Sequence, residues 1–127
     1  MRNIVKTDKA PPAIGPYSQA VIAVGPLIFT AGQIPMHPET GVLVGTEIKA
    51  QTRQVLSNLQ NVLEAAGSSQ QNVVKCTVFL QSMEDFAGMN EVYAQFFSDS
   101  PPARSAVEVA KLPKGALVEI EAVALAG

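Results

Sequence analysis

Apolar residues along the chain follow two periods, which together predict a mixture of strands and helices. Short apolar runs bounded by Gly, Pro or Ser are typical of strands. Five such runs occur, at Tyr17–Val24, Leu27–Gln33, Val73–Leu80, Arg104–Val109 and Gly115–Leu125. Because only Gly25 and Pro26 separate the first two runs, the sequence predicts that these two strands pair as a hairpin.

The segment from about Glu47 to Ala66 shows helical spacing instead. Its apolar residues recur every three or four positions and so form a single stripe along one side of a helix. Thr46 is a suitable N-cap residue, and Glu47 suits the first turn. Gly67 fits the position just beyond the end of the helix. We therefore predict a long amphipathic helix here.

A second helix is predicted between the third and fourth strands. Ser82, followed three residues later by Asp85, has the pattern of a capping box, and the helix is expected to end near Phe97. The residues predicted to face inward are Phe86, Met89, Tyr93, Phe96 and Phe97. Each strand–helix–strand passage should cross over with the usual right hand, so both helices are expected on one face of the sheet.

The closing strand has one wholly apolar face and one face that carries two carboxylates. Alternate residues of a strand share a face. The apolar face is predicted to consist of Ala116, Val118, Ile120, Ala122 and Ala124, and the other of Leu117, Glu119, Glu121, Val123 and Leu125. A buried carboxylate is costly unless it is paired or hydrogen-bonded. Either both glutamates reach water at an edge, or at least one of them has a function.

One face of the predicted sheet lacks a helix to cover it, and the simplest cover is another copy of the protein. Composition agrees, since 16% of the 127 residues are charged whereas a typical domain has about 25%. A surface with so few charges suggests contact between subunits. Without internal repeats or a linker, residues 1–127 are expected to form one domain of the α+β class.

Charge and targeting patterns argue against several classes of function. The net charge is −2 and no Lys/Arg cluster occurs, which argues against a nucleic-acid partner. Met1 to Pro12 contain no apolar run typical of a signal peptide, and no stretch of the chain is apolar enough to predict a membrane span. The single cysteine, Cys76, cannot form an internal disulfide, which is consistent with a cytoplasmic location.

Metal and covalent chemistry are not indicated. One His and one Cys cannot build a Cys/His zinc site, and no phosphate loop, dinucleotide motif or nucleophile elbow occurs. His37 is interpreted as a surface turn residue and Cys76 as a small core residue. Arg104 is then a candidate functional residue, because its planar guanidinium can bind a carboxylate through two parallel hydrogen bonds. From periodicity alone, a solvated position at the start of a strand and a structural ion pair with Glu119 or Glu121 stay open as the more ordinary interpretations of Arg104.

Several segments resemble one known family. They are IGPYSQA, TAGQIP, TRQVLSNLQNVLEAAG, VFLQSMEDF, MNEVYAQFF, PPARSAVEVAKLPKG and EIEAVAL, and together they run from about Ile14 to Leu125. The block that begins at Pro102-Ala103-Arg104-Ser105 and ends at Glu119-Ile120-Glu121-Ala122 is the most specific. On these motifs the chain resembles the YjgF/RidA family of reactive intermediate deaminases.

The resemblance implies a fold, an assembly and an activity. The fold would be chorismate-mutase-like, a mixed sheet with two helices on one face. Three copies would form a homotrimer around a central barrel, with active clefts between neighbouring subunits. The activity would be hydrolysis of 2-imino acids, or of their enamine tautomers, to 2-keto acids and ammonia, without metal or cofactor. Such imines leave pyridoxal-phosphate enzymes, and their removal protects other enzymes of that kind.

The resemblance also assigns roles to residues. Arg104 matches the arginine that clamps the substrate carboxylate, and Glu119 the glutamate that activates the attacking water. Gly32 would offer a backbone amide to the carboxylate, while Tyr17 and Asn90 would line the cleft. Two positions depart from the common family pattern, which has cysteine where this chain has Ala106 and serine where it has Ala31. The position of Ala106 acts through its backbone carbonyl, so alanine keeps that role, whereas the serine hydroxyl is lost.

Rival functions come from other classes. Some members of the family are assigned ribonuclease or translation-inhibiting activity, and a regulatory protein that only binds small acids would also need an arginine. Chorismate mutase shares the architecture but would need more cationic groups. The presence of Glu119 beside Arg104 in the matched set favours the enzyme, because a protein that only binds needs the arginine alone.

Overall fold

The computed structural model describes residues 1–127 and contains six strands and two helices. The strands are β1 (Arg2–Val5), β2 (Ala20–Ala23), β3 (Leu27–Phe29), β4 (Val73–Leu80), β5 (Ala103–Glu108) and β6 (Val118–Leu125). The helices are α1 (Ile48–Ala65) and α2 (Phe86–Phe96). Single 3-10 turns occur at Gln70–Asn72, Met83–Asp85 and Pro113–Gly115. The α+β class and the five predicted strand regions are confirmed.

The predicted hairpin of the first two runs is wrong. β2 pairs antiparallel with β1, a strand that sequence reasoning missed, and β3 pairs antiparallel with β6 in a different sheet. Gly25, at φ +136°, and Pro26 redirect the chain from one sheet to the other. The Pro26 carbonyl accepts a hydrogen bond from Ala126 N, so the link already belongs to the β3–β6 ladder.

The first helix lies where its pattern predicts, with a different N-cap. Glu47, rather than Thr46, caps α1: its carboxylate accepts hydrogen bonds from Ala50 N at 2.7 Å and Lys49 N at 3.1 Å. These bonds favour the charged form and lower the pKa of Glu47. Gly67 has φ +78°, as the position beyond the helix end requires.

The second helix begins later than predicted. The Ser82 hydroxyl accepts a hydrogen bond from Glu84 N at 3.2 Å and so caps the 3-10 turn that precedes α2. The Asp85 side chain forms no capping hydrogen bond, so the capping box is not made. The predicted inward face is nevertheless correct. Met89, Tyr93 and Phe97 are buried, and Phe86 and Phe96 pack against the core while partly exposed.

The core lies between the two helices and one face of a four-stranded sheet in the order β3-β6-β4-β5. β4 and β5 are parallel, and β6 runs antiparallel to both β3 and β4. The predicted apolar face of the closing strand, Ala116, Val118, Ile120, Ala122 and Ala124, is buried throughout. A register shift between Val73 and Lys75 buries Val73 rather than Val74, which strict alternation from Cys76 would place on the buried face.

The opposite face of the sheet has no helix over it. Phe29 is 72% exposed there, and Leu27 and Val107 are 47% and 44% exposed. Fully burying side chains of this kind stabilises a protein by about 1.5–3 kcal/mol each, so this face is a strong candidate for contact with another molecule. Neither helix combines the length and apolar character needed to cross a bilayer.

Candidate functional site

Arg104 lies at the start of β5, partly buried beneath α2. It is paired with Cys76 of β4, and Cys76 belongs to the face that the helices cover. Its Nη1 donates a hydrogen bond of 2.6 Å to Asn90 Oδ1. Three aromatic rings surround the guanidinium carbon, which is 4.8 Å from the centre of the Tyr93 ring, 5.4 Å from that of Tyr17 and 5.5 Å from that of Phe86.

No carboxylate in the chain pairs with this guanidinium. The one ion pair of the chain joins Lys49 and Glu91 on the outer surface of the helices. Burial lowers the pKa of Arg104, but an arginine side chain stays protonated at neutral pH. A partly buried cation without an anionic partner is unfavourable by itself and favours binding of an anion. The ion pair of Arg104 with Glu119 or Glu121, considered from periodicity, does not form within the chain.

The chain after β3 makes a bulge opposite β6. Thr30 N donates to Ala122 O at 3.0 Å, and Gln33 exchanges two backbone hydrogen bonds with Ile120, of 2.9 and 3.1 Å. Two residues, Ala31 and Gly32, therefore stand opposite the single residue Glu121, which is the arrangement of a β-bulge. The amide N–H groups of Ala31 and Gly32 have no partner within the chain. They are free to donate hydrogen bonds to a ligand.

Gly32 lies directly against the carboxylate of Glu119. A Cβ atom placed on Gly32 would be 1.9 Å from Glu119 Oε2 and 2.8 Å from its Cδ, so any side chain here would force the carboxylate to move. The Glu119 side chain is partly buried and its carboxylate forms no hydrogen bond or ion pair in the chain. Glu121 is exposed and equally without a partner. Glycine at this position thus leaves room for a poised, unpaired carboxylate.

The two groups of residues lie on opposite faces of one sheet. We call Arg104, Asn90, Tyr17, Phe86 and Tyr93 the arginine half-site, and Glu119 with Gly32 the glutamate half-site. Cys76 is in register with both Arg104 and Ala122, so all three side chains face the helices. Glu119, an odd number of residues from Ala122, faces the other way. The two half-sites are also two strand spacings apart, ~10 Å. They do not meet within one chain.

No cavity of the chain is lined by both Arg104 and Glu119. Tyr17 borders a cavity of about 410 Å³ beneath the segment 6–13, and Gly32 borders an open groove of about 390 Å³ beside Asn58 of α1. A ligand that contacts both half-sites therefore needs a second protein surface to complete its pocket.

The other residues considered from sequence lie outside this chemistry or at its margin. Ala106 follows Arg104 on the same face of β5 and packs against the core. The His37 ring accepts a hydrogen bond from Glu39 N at 3.2 Å within the turn. Cys76 is fully buried, and burial raises the pKa of its thiol to about 12. No cluster of three or more His, Cys, Asp or Glu side chains is arranged to hold a metal ion.

Sequence reasoning missed Phe86 and Tyr93 as neighbours of Arg104, and assigned them only to the core. A signal was present, because Phe86, Asn90 and Tyr93 are spaced by four and three residues and so share one face of a helix. The bulge had no comparable signal, since it depends on which strand pairs with β3.

The chain is similar over nearly its whole length to one family of known proteins. Residues 7–126 match the model of the family described as Endoribonuclease L-PSP. A RutC family protein of Pyrococcus horikoshii is 57% identical over 124 residues, covering 98% of both chains. The 2-iminobutanoate/2-iminopropanoate deaminase of Capra hircus is 50% identical over 127 residues, all of this chain and 92% of that protein. The crystal structure of Escherichia coli TdcF with bound serine has a TM-score of 0.77 and 44% identity, covering 98% and 99% of the two chains.

Proposed function

The chain belongs to the YjgF/RidA family, and on this premise we propose that it hydrolyses 2-imino acids and their enamine tautomers to 2-keto acids and ammonia. The substrates would be small, such as 2-iminobutanoate and 2-iminopropanoate. The observation that carries this proposal is the partly buried guanidinium of Arg104 with no carboxylate of the chain to neutralise it. A small acid that carries a carboxylate supplies the missing anion.

Each residue has a role that follows from its chemistry. Arg104 would hold the substrate carboxylate through two parallel N–H donors, and the free amide of Gly32 would donate a further hydrogen bond to it. Glu119 would hold a water molecule and accept its proton. Tyr17 and Asn90 would line the cleft, and the carbonyl of Ala106 would hold the water.

The reaction needs no metal or redox group, because a protonated imine carbon is already electrophilic. Water attacks this carbon while Glu119 takes a proton, which gives a carbinolamine. Glu119 returns that proton to nitrogen, which makes ammonia the leaving group. As the C–N bond breaks, the carbinolamine hydroxyl gives its proton to the Glu119 carboxylate, and the carbonyl of the keto acid forms. Holding substrate and water in attacking geometry supplies most of what the step requires.

Two related proteins support this proposal. The goat relative is named 2-iminobutanoate/2-iminopropanoate deaminase, and it matches this chain from end to end. The E. coli structure holds serine, an amino acid with the same carboxylate and α-nitrogen as a 2-imino acid. The archaeal relative carries only a family name, so the particular imine is the finest part of the proposal.

We further propose that the complete site forms between two copies of the chain in a homotrimer whose sheets line a central barrel. The exposed apolar face around Phe29 and Val107 would be buried at the seams. The two half-sites face opposite ways in one chain. An assembly in which Arg104 of one copy meets Glu119 of the next would therefore complete the site. Light scattering at micromolar concentration should give about three times 13.4 kDa, and a stable monomer would overturn this assembly.

A coupled assay tests the activity. A dehydratase generates the imine from serine or threonine, and keto-acid release is followed with and without this protein. We expect faster release when the protein is present. Equal rates over a wide range of protein concentration would overturn imine hydrolysis and favour a protein that only binds small acids.

A mixing experiment tests whether the site is shared. Arg104→Lys and Glu119→Gln chains are unfolded together, refolded and assayed as mixed trimers. If the site lies between copies, each mixed trimer has one site with both native residues, and activity returns. If both residues of a site come from one chain, no mixed trimer recovers activity.

Ribonuclease activity is the second candidate, because the matching family carries the description Endoribonuclease L-PSP. The net charge of −2 and the absence of a Lys/Arg cluster speak against tight RNA binding. We therefore expect no nucleic-acid partner, and we expect the protein to act in the cytoplasm beside the enzymes that release imines. Cleavage of RNA that is lost in Arg104→Lys but kept in Glu119→Gln would contradict the proposed site.

A further inference from the structure

Helix α2 presents three consecutive side chains of one face to Arg104. Phe86, Asn90 and Tyr93 recur at intervals of four and three residues, so they stack along the helix. Asn90 takes one guanidinium nitrogen, Nη1, by a hydrogen bond of 2.6 Å. Phe86 and Tyr93 approach the guanidinium carbon with their rings. The proposed function uses Asn90 but gives the two aromatic residues no task.

The rings, together with Tyr17, enclose the guanidinium. All three ring centres lie within 5.5 Å of the guanidinium carbon, inside the range of a cation–π interaction. The guanidinium is also partly shielded from water, which strengthens such interactions. The other end of the group lies towards Gly15, where a Cβ atom would be 3.7 Å from Nη2. Arg104 Nη2 donates no hydrogen bond within the chain, so this edge can donate to a ligand.

We propose that Phe86 and Tyr93 are positioning residues, which hold the plane of the Arg104 guanidinium so that its free edge meets the substrate carboxylate. This inference rests on the proposed role of Arg104 as the carboxylate clamp. Arginine has a long and flexible side chain, and ordering it before binding removes an entropic cost from the binding step. A cage of rings orders it in this way.

Rings do this without competing with the substrate. A carboxylate at the same place would also fix the arginine, but it would neutralise the charge and occupy its donors. The cage contains three aromatic faces and one neutral amide, and no anionic side chain pairs with the guanidinium. The positive charge therefore stays available to an anionic ligand.

The matched test compares two phenylalanines of the same helix. Phe86 and Phe96 are both partly exposed and both pack against the core, but Phe96 stacks edge-on against Phe97 and lies outside the cage. Phe86→Leu removes one wall of the cage, Phe96→Leu makes the same chemical change elsewhere, and Phe86→Tyr restores a ring. Three measurements are made on each trimer: KM and kcat in the imine assay, calorimetric binding of 2-oxobutanoate, and the NMR shift of the Arg104 Nε–H.

In Phe86→Leu we expect KM and the Kd for 2-oxobutanoate to rise about tenfold, between the sizes of an exposed and a fully desolvated cation–π contact, with kcat nearly unchanged. The carboxylate does not react, so its clamp acts equally on ground and transition states. The Arg104 signal should move away from its ring-shifted position. Phe86→Tyr should restore all three values, and Phe96→Leu should change only the melting temperature.

The inference is overturned if Phe86→Leu and Phe96→Leu change KM and Kd alike, or if Phe86→Leu leaves the Arg104 signal in place. Failure of the imine assay in the parent protein is a different result. It would overturn the proposed activity, while the calorimetric and NMR arms would still decide whether the rings position Arg104.

Discussion

The arginine half-site and the glutamate half-site are built in opposite ways. Three aromatic rings and one side-chain amide, from two separate segments of the chain, surround Arg104. Around Glu119, in contrast, a β-bulge and a glycine leave open space, and the carboxylate has no hydrogen-bond or ion-pair partner. The arginine half-site depends on side chains that pack around Arg104, whereas the glutamate half-site depends on the absence of a Cβ atom at Gly32. They should therefore fail under different kinds of substitution.

The largest effect is expected at the unpartnered carboxylate. Glu119→Gln keeps the shape of the side chain but removes the proton acceptor, and should lower kcat by about 10²–10⁴. Glu121→Gln is the matched control, because Glu121 lies on the same strand and face but is exposed and has no ion-pair partner. Its effect should be confined to melting temperature or assembly. Near-normal activity in Glu119→Gln beside an inactive, trimeric Glu121→Gln would reverse the two roles.

Arg104→Lys tests the arginine half-site and should lower kcat/KM by roughly 10²–10³. A loss of this size lies in the range measured when a buried charge pair is broken. Lysine keeps the charge but cannot present two parallel donors to a planar carboxylate. Arg53→Lys, the same change at an exposed position of α1, is the control. The rates come from the coupled keto-acid assay, with the assembly checked by light scattering. Full activity in Arg104→Lys would exclude the clamp.

Gly32→Ala tests the glutamate half-site and should lower kcat by up to about 10². The added methyl group would lie 1.9 Å from Glu119 Oε2, so the carboxylate must move. The double variant Gly32→Ala/Glu119→Gln shows whether the effect passes through Glu119. In that case it should be no slower than Glu119→Gln alone. Independent, multiplying losses would show that Gly32 acts by another route, such as its free amide.

The smallest effect concerns the hydroxyl of Tyr93. This hydroxyl is fully buried and forms no well-aligned hydrogen bond, its polar neighbour being the Cys76 thiol. Burial raises the pKa of Tyr93, so the group stays neutral. Tyr93→Phe keeps the ring and should raise the free energy of unfolding by up to ~1 kcal/mol in urea titrations. A clear loss of stability would mean that the hydroxyl has a partner in the assembled protein.

Much of the fold could be predicted, because the pattern of burial is local. The stripe of α1, the termini of β4 and the buried face of β6 each follow from the spacing of apolar residues within one element. The pairing of β2 with β1 could not be predicted in the same way. Any two short apolar strands have equivalent backbone donors and acceptors, so their pairing depends on the rest of the chain.

For the candidate site, the sequence by itself determined which side chains are chemically competent. Arg104 and Glu119 stand out as polar residues on apolar strands, and their match to a family adds Tyr17, Gly32 and Asn90. Only the tertiary structure decided how they are arranged. The turn of α2 over β5 brings Phe86 and Tyr93 to Arg104, and a one-residue bulge brings Gly32 to Glu119. The reason is physical: spacing along a chain determines the face of an element, whereas contacts between elements depend on distances that only packing sets.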